Sequence, residues 1–263
     1  MNTTRRTLNS RILAGAGLIA LLGTAGCGSD DRGPDRDRAG VDTAPQTSTS
    51  ATGPSVESTP ADTVTSLTDT FDDDANGWAL PPSEQARTEV VGGDFVWEMT
   101  QPTLRPHILA GTLAEAYDAG RLEMTDVRVT ATVTPKRGAA AFGLFCREVP
   151  DSDSDFQWYE FVVRDGYAAI RLADSAGNLE PIEEGEAVIR AGKEITLEAT
   201  CVDDTNGAAT LALSLNGEQL LQVRVPDPLG NGVPGLQAYD ASAEESDEML
   251  LLAWHDFSVE PAG

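Results

Sequence analysis

Positive charge is scarce in this chain. Over 263 residues, 18 Lys plus Arg stand against 43 Asp plus Glu, giving a formal net charge of −25. That deficit excludes a nucleic-acid partner, because phosphate binding rests on clustered cations. Histidine is nearly absent: only His107 and His255 occur, neither at ligand spacing from a cysteine, so the usual Cys/His metal frameworks are missing. Each histidine reads as a surface or strand residue. No Gly-x-Ser-x-Gly elbow, His-Glu-x-x-His helix or phosphate-cradling Gly-rich loop is present, which removes the common hydrolase and nucleotide signatures. Long apolar repeats at 3.6 spacing are lacking after Val64, and 25 Gly with 15 Pro favour turns over helices.

At the N-terminus, Arg5, Arg6 and Arg11 precede a twelve-residue apolar run, Ile12 to Gly23. The run is shorter than the roughly 20 residues of a spanning helix, so residues 1–26 read as a signal peptide that is removed. Leu22-Gly23-Thr24-Ala25-Gly26-Cys27 resembles the lipobox of bacterial lipoproteins, with Thr24 where the family pattern usually has Leu. The resemblance implies a lipid on Cys27 and residence on the extracytoplasmic face of the cell membrane; an ordinary secreted protein with a stray cysteine is the alternative. Thr4-Arg5-Arg6-Thr7-Leu8 also looks like a twin-arginine export signal, although adjacent arginines are common in ordinary leaders. Removal of the leader takes away three arginines and leaves −28. Such a chain repels anionic headgroups within a Debye length of roughly 8–10 Å, so membrane residence falls to the lipid.

From Gly28 to Thr63 the only aliphatic residues larger than alanine are Val41 and Val56. No core can form there, and residues 27–63 read as a disordered tether rich in Ser, Thr, Pro and Asp. Its span is roughly 30–36 Å, by the square-root rule for flexible linkers.

Residues 64–263 change to short runs of period two. Val127, Val129, Ala131 and Val133 alternate with Arg128, Thr130 and Thr132; Phe142, Leu144 and Cys146 alternate with Gly143, Phe145 and Arg147, and Ile195, Leu197, Ala199 and Cys201 with Thr196, Glu198 and Thr200. Leu211, Leu213 and Leu215 run into Asn216-Gly217, after which Leu221, Val223 and Val225 resume the alternation. Asn and Gly tolerate the positive φ of a type I′ turn, so a hairpin is expected, with a second at Asp165-Gly166. Leu113 to Tyr117 is expected to make one turn of helix at most. The fold class that follows is all-β, a two-sheet antiparallel sandwich.

The order of motifs carries a resemblance. Phe71-Asp72-Asp73 with Gly77-Trp78, then Phe142-Gly143-Leu144-Phe145-Cys146-Arg147, Trp158-Tyr159-Glu160-Phe161, Asp165-Gly166-Tyr167, Leu215-Asn216-Gly217-Glu218 and Asp256-Phe257-Ser258-Val259 together resemble the concanavalin A-like jelly-roll domains. That superfamily includes laminin G-type modules, legume-type lectins and laminarinase-like glycoside hydrolases, and the resemblance covers roughly residues 66–260.

With Cys27 assigned to lipid, Cys146 and Cys201 remain, both on the apolar phase of expected strands. An exported chain matures where disulfides persist, so the two are expected to pair; two buried free thiols are the alternative. The 55-residue separation makes such a bond worth about 4 kcal/mol on the chain-entropy model.

Laminarinase-like relatives carry their catalytic carboxylates in a Glu-x-Asp-x-x-Glu or Glu-x-Asp-x-Glu string. None occurs here, and Glu244-Glu245-Ser246-Asp247-Glu248 has the wrong spacing. The expectation is therefore no enzymatic activity, a laminarinase-like glycoside hydrolase being the less favoured alternative. A structural calcium is weighed because the superfamily often carries one. Asp151-Ser152-Asp153-Ser154-Asp155 lacks the Gly and Glu of an EF-hand and reads as a solvated turn, whereas Asp72 or Asp74 is expected to come near Asp256 where first and last strands meet. A turn-capping role is the alternative there. Two functional readings remain: a non-catalytic recognition module for glycans or cell-envelope components, and a structural or partner-organising envelope lipoprotein. A sugar site calls for an aromatic ring flanked by polar groups, and Trp158, Tyr159, Tyr167 and Tyr239 are its candidates, core positions being the plainer alternative.

Overall fold

The computed structural model describes residues 62–78, 86–99, 107–137, 141–148, 157–175, 178–239 and 250–262. In chain order its elements are β1 (Leu67–Asp69), β2 (Ala86–Val91), β3 (Asp94–Met99), β4 (His107–Ile108), α1 (Gly111–Asp118), β5 (Val127–Arg137), β6 (Ala141–Glu148) and β7 (Gln157–Arg164). There follow β8 (Tyr167–Asp174), β9 (Leu179–Gly185), β10 (Ile195–Asp203), β11 (Ala209–Leu215), β12 (Glu218–Val225), β13 (Val233–Tyr239) and β14 (Leu250–Pro261). Eight strands form one sheet in the order β12-β11-β10-β5-β14-β3-β2, with β1 beside β3 on β14; six form the other, β4-β13-β6-β7-β8-β9. The ladders within both sheets are antiparallel. The expected sandwich is what forms.

In the eight-stranded sheet the period-two pattern sorts side chains cleanly. Val127, Val129, Ala131 and Val133 of β5 are buried while Arg128, Thr130 and Thr132 between them are half-exposed, and β10 repeats the pattern. Along β14 the inward positions are Leu250, Leu252 and Trp254, then Phe257 and Val259. The phase changes at a bulge between Trp254 and Asp256, where one extra residue shifts every later side chain to the opposite parity.

Phe142, Leu144 and Cys146 of β6, with Tyr159, Phe161 and Val163 of β7, meet these residues from the six-stranded sheet in one core cluster. Cys146 and Cys201 are disulfide-bonded, Cα–Cα 6.8 Å, and so join β6 to β10 across the sandwich. Sheets ordinarily pack about 10 Å apart, so the two draw together at this end. Beside the bond Arg147 adopts φ 61°, and its buried guanidinium donates to Asp203 at 2.7 Å, to the Leu229 carbonyl at 2.7 Å and to the Thr125 carbonyl at 3.2 Å.

Asn216 (φ 52°) and Gly217 (φ 80°) both take positive φ between β11 and β12, as a type I′ turn requires. At the β7–β8 turn only Gly166 does, so the second hairpin exists but is not of that type. The helix is also longer than expected: α1 runs two turns because Leu113 and Ala116 both bury against the core. Phe71-Asp72-Asp73 and Gly77-Trp78 prove to be a corner wrapped around the buried carboxylate of Asp69. It accepts from Phe71 N (2.7 Å), Asn76 Nδ2 (2.8 Å) and Trp78 Nε1 (2.6 Å).

Candidate functional site

The outward face of the six-stranded sheet is unusual in burying polar side chains. On β7, Tyr159, Phe161 and Val163 point to the core, leaving Trp158, Glu160 and Val162 on the other side, where Trp158 and Val162 belong to two satellite clusters apart from the main one. Across from Glu160 stand Phe145 of β6 and Arg171 of β8. Gln237 of β13 pairs with Gly143 and with His107 of β4. Glu160, Gln237 and Glu148 are each only 2% exposed, and Arg171 is 8% exposed. Exposure thus falls from half-buried His107 and Tyr167 to a polar floor.

Two glycines shape that floor. A Cβ on Gly143 would lie 1.9 Å from the Phe161 carbonyl, and one on Gly235 would lie 2.5 Å from the Phe145 ring. Their hydrogens let the neighbouring backbone and the Phe145 ring close in. At one end, His107 Nε2 lies 2.9 Å from Glu148 Oε1, and its ring stands 5.7 Å from Phe145 and 5.0 Å from Trp158. At the other, the Tyr167 hydroxyl donates to Glu184 and accepts from Arg171 at 3.0 Å. The guanidinium carbons of Arg164 and Arg171 lie 5.1 and 5.3 Å from the Tyr167 ring centre. Burial, then the Glu184 bond, push the Tyr167 phenol up; Arg171 opposes them. Glu148 Oε2 and Gln237 Oε1 are buried with no hydrogen-bond partner among the described residues. Leaving such an acceptor unsatisfied costs about 1–3 kcal/mol, and what it wants is a hydroxyl or amide donor.

Of the ring candidates, Trp158 and Tyr167 are on this face. Tyr159 is turned inward, where burial pushes its phenol up and its oxygen accepts from Leu229 N at 3.0 Å. Tyr239 pairs with Ala141 on β13; its side chain lies outside the described residues. So do Cys27, the Asp151–Asp155 loop and Glu244–Glu248. β1 does lie beside β14, with Asp69 opposite Phe257. Asp72 accepts from Thr70 Oγ1 at 2.8 Å, Asp74 closes a backbone turn to Gly77 N at 2.9 Å, and Asp256 accepts from Thr132 N at 3.0 Å. Among the described residues no group of three His, Cys, Asp or Glu is placed to hold a metal ion.

Glu160, Arg171, Gln237, Glu148 and His107 were not legible as site residues. The one available signal was Glu160 in the otherwise apolar Trp158–Val163 run. His255, on the outward face of the other sheet, bridges Asp94 and Thr134 at 2.7 Å each. Thr134 is only 6% exposed, so this chain of bonds ties β3, β14 and β5 together.

No protein-family model and no curated protein matches the sequence. Among solved structures, a prokaryotic β-1,3-1,4-glucanase (lichenase) from a mouse hindgut metagenome aligns with TM-score 0.50 and 11% identity, over 75% of this chain and 100% of that one. A Bacillus subtilis protein of unknown function with a galectin-like fold aligns with TM-score 0.50 and 11% identity, over 74% and 94%. The alginate lyase Aly36B aligns at 0.46 and 9%, over 77% and 98%. The fold is the concanavalin A-like, galectin-like jelly roll. The expectation of no enzymatic activity is corrected by the lichenase: this fold houses hydrolysis, so a missing Glu-x-Asp string does not exclude catalysis.

Proposed function

We propose that the protein is a lipoprotein, held on the extracytoplasmic face of the membrane by a lipid on Cys27, whose jelly roll binds glycans of the cell envelope on the outward face of the six-stranded sheet. One observation carries the reading: Gln237 Oε1 and Glu148 Oε2 are buried acceptors without a partner among the described residues, on a floor that also holds Glu160 and Arg171. A polyhydroxylated ligand supplies the donors such acceptors need, and Trp158 supplies apolar surface beside them. The likeness to a galectin-like fold is consistent with this but speaks for the fold alone. Removal of the anchor is a separate matter: Cys27→Ala is expected to move the protein from the carbonate-washed membrane fraction to the soluble one.

The test is a glycan array probed with the purified full chain, followed by titration of the best ligand. Binding is expected on the order of millimolar to micromolar, with Gln237→Leu weakening it about tenfold through one lost hydrogen bond. An array without signal, or a Gln237→Leu protein that binds equally well, rejects this site. The same incubations are read for new reducing ends, since the fold admits hydrolysis.

A further inference from the structure

The two sheets leave one side of the sandwich open, where edge strands β9 and β12 face each other without hydrogen bonds between them. At one end the gap is closed: a Cβ on Gly185 would lie 2.8 Å from Leu221 Cδ2, so the leucine fits only because β9 carries a glycine there. Towards the other end β7, β8, β9 and the end of β12 with the segment after it line a partly open cleft of about 270 Å³. Leu172, Ile182, Val225 and Leu229 supply apolar walls, and Tyr159 reaches it from the core. The Tyr159 oxygen already accepts from Leu229 N, which leaves a second lone pair for an N–H donor.

The mouth is charged in one sense. Glu180, Asp227 and Arg224 line it, but the Arg224 guanidinium is engaged twice by Asp204, at 2.9 and 2.6 Å, so its charge is met within the protein. Glu180 and Asp227 have no ion-pair partner among the described residues and remain as two free carboxylates over an apolar hole. The chain as a whole carries −25, and that field repels anions and gathers cations.

We infer that this cleft is a second ligand site, separate from the glycan face, and that it takes a small organic cation: an aliphatic body seated between β9 and β12 with an ammonium or guanidinium head at Glu180 and Asp227. The apolar walls supply affinity without direction, and the carboxylates select the sign of the head group.

The probe is hexylammonium, titrated into the full chain and followed by backbone amide NMR, with hexanoate as the matched anion. Hexylammonium is expected to shift the Leu229 and Val225 amides and saturate with Kd on the order of millimolar, with hexanoate at least about tenfold weaker. In the doubly neutralised Glu180→Gln, Asp227→Asn protein the preference for the cation is expected to fall about fivefold or more, from the loss of two exposed pairs. Both positions are exposed, so the substitutions spare the fold, which the unchanged amide spectrum verifies. Equal binding of hexanoate, shifts confined to residues outside the cleft, or a neutralised protein that keeps its preference would each overturn the assignment. Because Gln237 and Glu148 are untouched, glycan binding is read independently in the same protein.

Discussion

The two sheets use their outward faces in opposite ways. On the eight-stranded sheet the outward positions of β5 and β10 are half-exposed threonines and charged residues; on the six-stranded sheet β6 is buried at all eight positions and β7 at six consecutive ones, Trp158 to Val163. Alternation of polarity marks a strand with one wet face. A strand buried on both faces must either lose its polar residues or give each one a reason to be there, because a buried charge is tolerated only with partners. Glu160, Arg171 and Gln237 are those residues, and they distinguish this face from the outward face of the larger sheet.

The comparison is broken most severely by cutting the bond between the sheets. Reduction of Cys146–Cys201 is expected to lower stability by about 4 kcal/mol, read as a fall in the urea midpoint with dithiothreitol present; an unchanged midpoint would mean that the sheets hold together without it. Next comes a matched pair on the two outward faces. Glu160→Ala removes the carboxylate opposite buried Arg171 and is expected to cost about 3 kcal/mol, whereas Thr130→Ala on β5 stays within about 0.5 kcal/mol. Equal costs in urea unfolding would erase the distinction between the faces.

The smallest effect lies at the rim of the eight-stranded sheet. Arg224, then the amides of Ala208 and Asn206, hold the Asp204 carboxyl below its ordinary 3.8. A depressed value in the folded state stabilises above the unfolded pKa, and that contribution is lost as pH falls through the folded one. In Arg224→Ala the Asp204 carboxyl carbon is expected to titrate closer to 3.8, and the small stabilisation it gave above that pH is reduced; an unmoved titration would show that the amides alone set it.

Legibility followed the same division. Val127 to Val133, Ile195 to Cys201 and the Asn216-Gly217 hairpin are governed by neighbours in sequence, so period two and turn chemistry sufficed. The cysteine pair was legible from its count and phase. The polar floor was not, because His107 meets Glu148 and Arg171 faces Glu160 only once separate strands are laid side by side. Asp69 was missed for a related reason: its three partners lie within nine residues, yet nothing in Leu67-Thr68-Asp69 distinguishes a buried acceptor from one more surface acid among 43. The helix came out short because burial of Leu113 and Ala116, and not local propensity, extends it.

The last of the described strands stands near the middle of the larger sheet. β14 pairs with β5 along one edge and with both β3 and β1 along the other. A chain emerging from synthesis therefore holds β1, β3 and β5 with open edges until Leu250 to Pro261 arrive, and exposed edges invite pairing between chains. Assembly is closed late by long-range contacts, which places folding on the order of milliseconds to seconds. A premature stop anywhere before Leu250 would leave a chain without its central ladder, so loss of Leu250–Pro261 would be far more damaging than loss of as many residues from a segment outside both sheets.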